Sequence, residues 1–158
     1  MAENIDLKLK DAGYLPEQDL RHRKIVSTSE QGKTYILQVK SRMRSDVYQV
    51  DGYIIADKKK DKCDKLVLIN KNSANGEDWA EIFVELKGKN VKHAIEQLEA
   101  TIKEKIFMHS SVKQRRARIV AAAFPANNGN SEMERAKVRF QKLGVDLRGL
   151  KNGQPDFF

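Results

Sequence analysis

The stretch Phe83–Asn90, "FVELKGKN", sets a carboxylate and an ammonium into an apolar run. Side chains alternate along a strand, so Glu85 and Lys87 share one face. Burying two charges costs several kcal/mol each (order of magnitude) unless they are paired or do chemistry. Glu85 and Lys87 are therefore either a structural ion pair or half of an active site. A second acid lies within reach of them. "DKLVLIN" (Asp64–Asn70) reads as a strand apolar on both faces, and Trp79–Lys87 as its antiparallel partner. One register sets Leu66 opposite Phe83 and Asp64 opposite Glu85, with opposed side chains about 5 Å apart on one face. A slip of one residue would separate them.

The flanking segments have to hold these residues in place. Asn90 is an N-cap for a helix to about Phe107, whose apolar stripe is Val91, Ile95, Leu98, Ile102 and Ile106. Gln97 lies at the margin of that stripe. Lys71–Asp78 carries turn chemistry, with Asn75-Gly76. Upstream, Pro16 predicts a short helix to about His22. Ile25–Thr28 and Thr34–Lys40 read as strands around the turn Ser29–Lys33, and Val47–Ala56 as another strand before the polar turn "DKKKDK" (Asp57–Lys62). Downstream, Arg116–Phe124 reads as a buried strand. Ser131 and Glu134 form a capping box for a helix Ser131–Leu143, with Gly144 as its C-cap and Val145–Leu150 as an edge strand. The order strand, strand, strand, helix, strand, helix from Val47 onward predicts the α/β class: a mixed central sheet flanked by helices. Residues 1–46 read as an N-terminal extension packed on the core, 47–150 as the core, and 151–158 as a loose tail.

The chain has 158 residues, enough for one domain with one core. Its net charge of +8 favours a polyanionic partner, nucleic acid before an anionic membrane. The lone cysteine, Cys63, excludes an intramolecular disulfide and a thiolate-rich zinc site, and reads as a small buried residue. No apolar leader opens the sequence, and its longest apolar run, Ile119–Phe124, is too short to span a bilayer. The expectation is a cytoplasmic protein with no membrane partner.

An Asp on one strand, a Glu-x-Lys on its neighbour and a helix just after resemble the PD-(D/E)xK, or restriction-endonuclease-like, nuclease superfamily. Asp64, Glu85 and Lys87, with Gln97 in "KHAIEQLEATI", carry the resemblance over about residues 47–124. It implies a restriction-endonuclease-like fold and a metal-dependent nuclease acting on DNA before RNA. Asp64, Glu85 and the Leu86 carbonyl would bind Mg²⁺ or Mn²⁺, Lys87 would act on the attacking water, and Gln97 would support the site. Two departures mark the match. Cys63 stands where the family has proline, and the acid often found on a preceding helix has only Glu17 and Glu30 as candidates. Phosphate contacts are expected from Lys89 and Lys92 beside the motif, and from the cluster Lys113, Arg115, Arg116 and Arg118. Small nuclease domains often form homodimers or serve larger complexes. The alternative is a non-catalytic nucleic-acid-binding or protein-interaction module on the same fold.

Overall fold

A computed structural model describes residues 2–40, 43–71, 78–86, 90–122, 124 and 128–158. The apolar faces of its elements dictate three layers. The middle layer is a six-stranded mixed sheet in the order β1 (Gln18–His22), β4 (Arg44–Gln49), β5 (Lys65–Asn70), β6 (Trp79–Glu85), β7 (Val112–Ala121) and β8 (Val145–Lys151). Its first four strands are antiparallel neighbours, while β6, β7 and β8 run parallel. Parallel neighbours need crossovers, and two helices supply them: α2 (Val91–Ile102) links β6 to β7, and α3 (Asn128–Lys142) links β7 to β8.

These helices cover one face of the sheet together with α1 (Ile5–Asp11). The predicted stripe of α2 is buried at Val91, Ile95, Leu98 and Ile102, and Asn90 caps it by accepting the His93 N–H at 3.1 Å. The helix stops at Ile102, short of the expected Phe107. A 3-10 turn at Lys105–Phe107 follows and packs the Phe107 ring edge-on against Phe83, 5.3 Å between centroids. The other face of the sheet is covered by three more strands, β2 (Ile25–Glu30), β3 (Lys33–Gln38) and β9 (Pro155–Phe157). Val26, Tyr35 and Leu37 on that small sheet pack against Val47, Val67, Ile69, Ile82 and Val84. The β2–β3 hairpin closes through Gln31 and Gly32, both at positive φ (51° and 77°), as a two-residue turn between twisted strands requires.

Several elements differ from the expectation. The segment after Pro16 is the strand β1, not a helix, because pairing with the edge of β4 satisfies its backbone and it carries no helical apolar stripe. Strand β4 starts at Arg44 and ends at Gln49. The chain then folds back on itself, the Ile55 N–H returning to the Val50 carbonyl at 3.0 Å, so the run to Ala56 is not extended. Strand β7 begins at Val112, four residues early, and α3 begins at Asn128. Residues 155–157, read as part of a loose tail, form β9 and pair in parallel with β3. Val145–Lys151 is an edge strand, as expected. The Asn75-Gly76 turn lies outside the described residues. Among the described residues no helix is long and apolar enough to cross a membrane.

Candidate functional site

Strands β5 and β6 pair in the predicted register, with Leu66 opposite Phe83 and Lys65 opposite Val84. Continued by one residue, that register sets Asp64 opposite Glu85. The backbone agrees: the Asp64 N–H donates to the Val84 carbonyl at 3.1 Å, and the Leu86 N–H donates to the Asp64 carboxylate at 2.7 Å. Asp64 and Glu85 are each 1% exposed. Glu85 shares its face of β6 with Trp79, Glu81 and Phe83, the face toward the helices. Leu86 is thereby drawn against Asp64, whereas Lys87 and Lys89 lie outside the described residues.

Topology gathers further acids at this end of the sheet. β6, β7 and β8 are parallel, so their C-terminal ends lie together, and antiparallel β5 brings its N-terminal end there too. Strand β4 ends beside it, where the Val50 and Asp51 N–H groups donate to the Asp64 carbonyl at 2.9 and 3.4 Å. The β2–β3 hairpin tip is tied to the same end. Asn152, just past β8, accepts the Thr34 N–H at 2.9 Å and donates its own backbone N–H to the Ala121 carbonyl at 2.8 Å. Carboxylate oxygens of Glu30, Asp51 and Asp64 consequently lie within 4.8 Å of one another. Of the two glutamates considered for an extra acid, Glu30 joins Asp64, carried there by a hairpin rather than a helix. Glu17 instead pairs with Lys65 at 2.9 Å and accepts from Thr28 at 3.0 Å. Crevices outside the carboxyl ends of parallel strands are where open α/β sheets bind ligands.

Cys63 is fully buried, as its size predicted. Burial, and after it the neighbouring Glu85 carboxylate, hold its thiol well above the ordinary range. It is no nucleophile at neutral pH. Its N–H donates to Thr101 Oγ1 at 2.8 Å, and that hydroxyl donates to the Gln97 carbonyl at 2.7 Å. These bonds clamp the approach to β5 onto α2. Gln97 is half-buried one turn before Thr101.

The basic residues divide sharply. Arg118 is 1% exposed, and its guanidinium is spent on Asp156 (2.7 Å), the Asp146 carbonyl (2.7 Å) and the Asp146 carboxylate (3.1 Å). Arg118, expected as a phosphate contact, is held inside this network rather than open to solvent. Arg115 pairs with buried Glu81 at 2.8 Å and donates to the Ile102 carbonyl at 2.9 Å. Arg116 donates to the Phe157 carbonyl at 2.7 Å. Lys113 donates to the Ser110 carbonyl at 2.7 Å, near the N-terminal start of β7 and so at the far end of the sheet from Asp64. Lys92, exposed in the first turn of α2, stands at the acidic end. So does the loop with Lys58, Lys59 and Lys60, all exposed, which leads from Asp51 to Asp64. The sequence offered a signal for that loop, a lysine run that begins six residues before the site aspartate, but it read only as a polar turn. Compared with known proteins, the chain matches no family model, no curated protein and no solved structure.

Proposed function

We propose that this protein is a metal-dependent nuclease that hydrolyses phosphodiester bonds, DNA before RNA, on a restriction-endonuclease-like arrangement of its α/β core. One observation carries the reading. Two buried carboxylates, Asp64 and Glu85, come from opposed positions on neighbouring strands, at the sheet end where β6 leads toward α2. The donor chemistry fits a hard divalent cation such as Mg²⁺ or Mn²⁺: carboxylate oxygens of Asp64, Glu30 and Asp51 lie within 4.8 Å of one another, and Glu85 stands opposite Asp64 on the neighbouring strand. Asp64, Glu85 and the Leu86 carbonyl would hold it, with Glu30 and Asp51 as added oxygen donors. When bound, the metal lowers the pKa of a water and offsets charge on the phosphoryl oxygens.

The chain's own groups do the remaining work. The Leu86 N–H fixes the direction of the Asp64 carboxylate. Lys87 orients the attacking water and offsets the charge of the transition state. Gln97 supports that geometry from α2. The water oxygen bonds to phosphorus as one ester P–O bond breaks. The water's proton leaves, and a proton is supplied to the departing alkoxide, giving a phosphomonoester and an alcohol. Lys58, Lys59 and Lys92 add exposed positive charge on the segments that adjoin the acids, while Lys60 pairs with Glu104 at 3.4 Å; exposed charge of this kind draws in a polyanion.

The test is cleavage of labelled single-stranded, duplex and branched DNA at low salt with Mg²⁺ or Mn²⁺. Wild type is expected to cut. Glu85→Ala and Lys87→Ala are each expected to lose about a hundredfold or more in rate. Binding with no cutting, unchanged in both variants, would demote the two residues to structure and leave a non-catalytic binding module.

A further inference from the structure

The outer face of the small sheet carries a row that the nuclease reading does not use. Ile25 pairs with Gln38, and Gln38 pairs with Phe157. Directly opposed residues point to the same side of a sheet. The next row, Val26, Leu37 and Asp156, is buried against the main sheet, so the row Ile25, Gln38 and Phe157 must point to solvent. Ile25 and Phe157 are each 59% exposed. Beside them the Phe158 ring is half-buried, covered by the Arg116 guanidinium 4.5 Å from its centroid, with Lys71 Nζ at 5.8 Å. The row, with Phe158, Lys24 and Lys40, lines a surface cleft of about 560 Å³.

Among the described residues, the side chains lining this cleft include two lysines and no acid. The comparably large cleft between β7, β8 and α3 includes Asp146, and the one between α2 and α3 includes Glu96 and Glu132. An apolar surface with an exposed aromatic ring and two lysines at its edge matches bases that stack, joined by phosphates. A duplex hides the faces of its bases, so the partner must present them unpaired.

We infer that this cleft binds unpaired nucleic acid, with a base stacked on Phe157 and Ile25 and flanking phosphates on Lys24 and Lys40. The inference rests on the nucleic-acid reading of the acidic end and adds a substrate class to it: single strands, or duplexes with a single-stranded arm. The geometry suits such an arm. Glu30 at the site and Ile25 at the cleft are the two ends of strand β2, about 17 Å apart at 3.3–3.4 Å per residue.

Binding measured in EDTA keeps this test separate from the chemistry at Asp64 and Glu85. Fluorescence anisotropy would follow a labelled oligothymidylate of about 12 nucleotides on wild type, Phe157→Ala, and the double variant Lys24→Glu/Lys40→Glu. A control, Lys103→Glu/Lys142→Glu, makes the same charge change at exposed positions on the helix layer. Phe157 keeps its backbone pairing with β3 when truncated, and an unchanged melting temperature verifies folding. Phe157→Ala is expected to weaken binding about fivefold or more, the loss of one base stack. The cleft double variant should lower the slope of log K against log salt by roughly 1.4, or 0.7 for each lost phosphate contact, and the control should change it less. A fully paired duplex should not respond to Phe157→Ala. Oligothymidylate binding unchanged by both cleft variants would overturn the inference, whether or not the protein cuts DNA. So would a wild-type dimer that Phe157→Ala dissolves while oligonucleotide binding stays the same, since the occupant would then be a second copy of the chain. Loss of cutting in Glu85→Ala with oligothymidylate binding intact would support the cleft as a separate binding surface.

Discussion

Two buried acids of this protein meet opposite surroundings. Asp156, on β9, faces a guanidinium and a phenol: Arg118 at 2.7 Å and the Tyr35 hydroxyl at 2.7 Å. Asp64, at the start of β5, faces a backbone N–H and, within 4.8 Å, the carboxylates of Glu30 and Asp51. Burial alone would raise the Asp156 carboxyl, but the Arg118 charge and the hydrogen bonds from Tyr35 and Arg118 outweigh it and hold it below 3.8. A carboxylate set against a cation joins layers, here the small sheet to the main one. Asp64 instead ties the start of β5 to the residue after β6 through the Leu86 N–H, with two further acids beside it at the open end of the sheet. The contrast is between an acid that a guanidinium ties into the core and an acid that lies beside other acids at a sheet end.

Removing the cation should break the first arrangement, with the largest effect expected anywhere outside the active chemistry. Arg118→Met leaves Asp156 and part of Asp146 without their partner and should cost about 3–5 kcal/mol, read from the midpoint of urea unfolding. Adding Asp156→Asn should return part of that loss, because the stranded buried charge is gone. A double variant no more stable than the single one would mean that Arg118 acts through packing alone.

The second arrangement should respond to metal instead. Mn²⁺ at about a hundred times its dissociation constant should stabilise wild type by about 2.7 kcal/mol, a rise in melting temperature of roughly 5–10 °C. Asp64→Asn should remove that rise, and Glu30→Gln should shrink it. Arg118→Met should keep the rise from its lower starting point. A full rise in Glu30→Gln would place the ion on Asp64 and Glu85 without help from the hairpin.

How much of this was legible beforehand follows from the range of the contacts. The register of β5 on β6 was readable because both runs are apolar and bounded by turn residues, and the stripe of α2 because its spacing is helical. The β2–β3 hairpin announced itself through Gln31-Gly32. In contrast, β9 pairs with a strand more than a hundred residues earlier in the chain, and no local pattern signals that. The convergence of Glu30 on Asp64 depends on Asn152 pinning the hairpin tip, another contact of that range. The arginine run failed for a related reason. Charge count cannot tell which arginine points inward, and Arg118 does so only because Asp146 and Asp156 arrive from β8 and β9. Asp51 did leave a trace, since Asp51-Gly52 is a turn signal two residues after β4 ends, and a turn there returns the chain toward β5.

A third buried acid sharpens the comparison. Asp46 on β4 is fully buried and shares Lys10 with Asp6: Lys10 Nζ lies 2.6 Å from Asp6 and 3.1 Å from Asp46, while the Tyr48 hydroxyl donates to Asp6 at 2.6 Å. One cation for two carboxylates leaves one negative charge too many. Burial, then the hydrogen bond and charge of Asp6, push Asp46 from 3.8 up to about 8. Asp6 moves the other way: burial would raise it, but hydrogen bonds with Asp46, Lys10 and Tyr48 together lower it. Asp46 thus resolves its burial with a proton. A raised carboxyl favours the folded state at low pH, so its contribution is complete below 3.8 and is lost as pH rises through about 8. Asp6 contributes with the opposite sign, and its share is lost only as pH falls below 3.8. Between these limits stability should decline with rising pH because of Asp46. Asp46→Asn imitates the protonated acid and should flatten that decline, leaving the variant more stable than wild type near pH 8 by about 1 kcal/mol or more. Urea unfolding across this pH window checks it. An unchanged slope would mean that Asp46 keeps its charge beside Asp6, and that Lys10 alone holds both acids ionised.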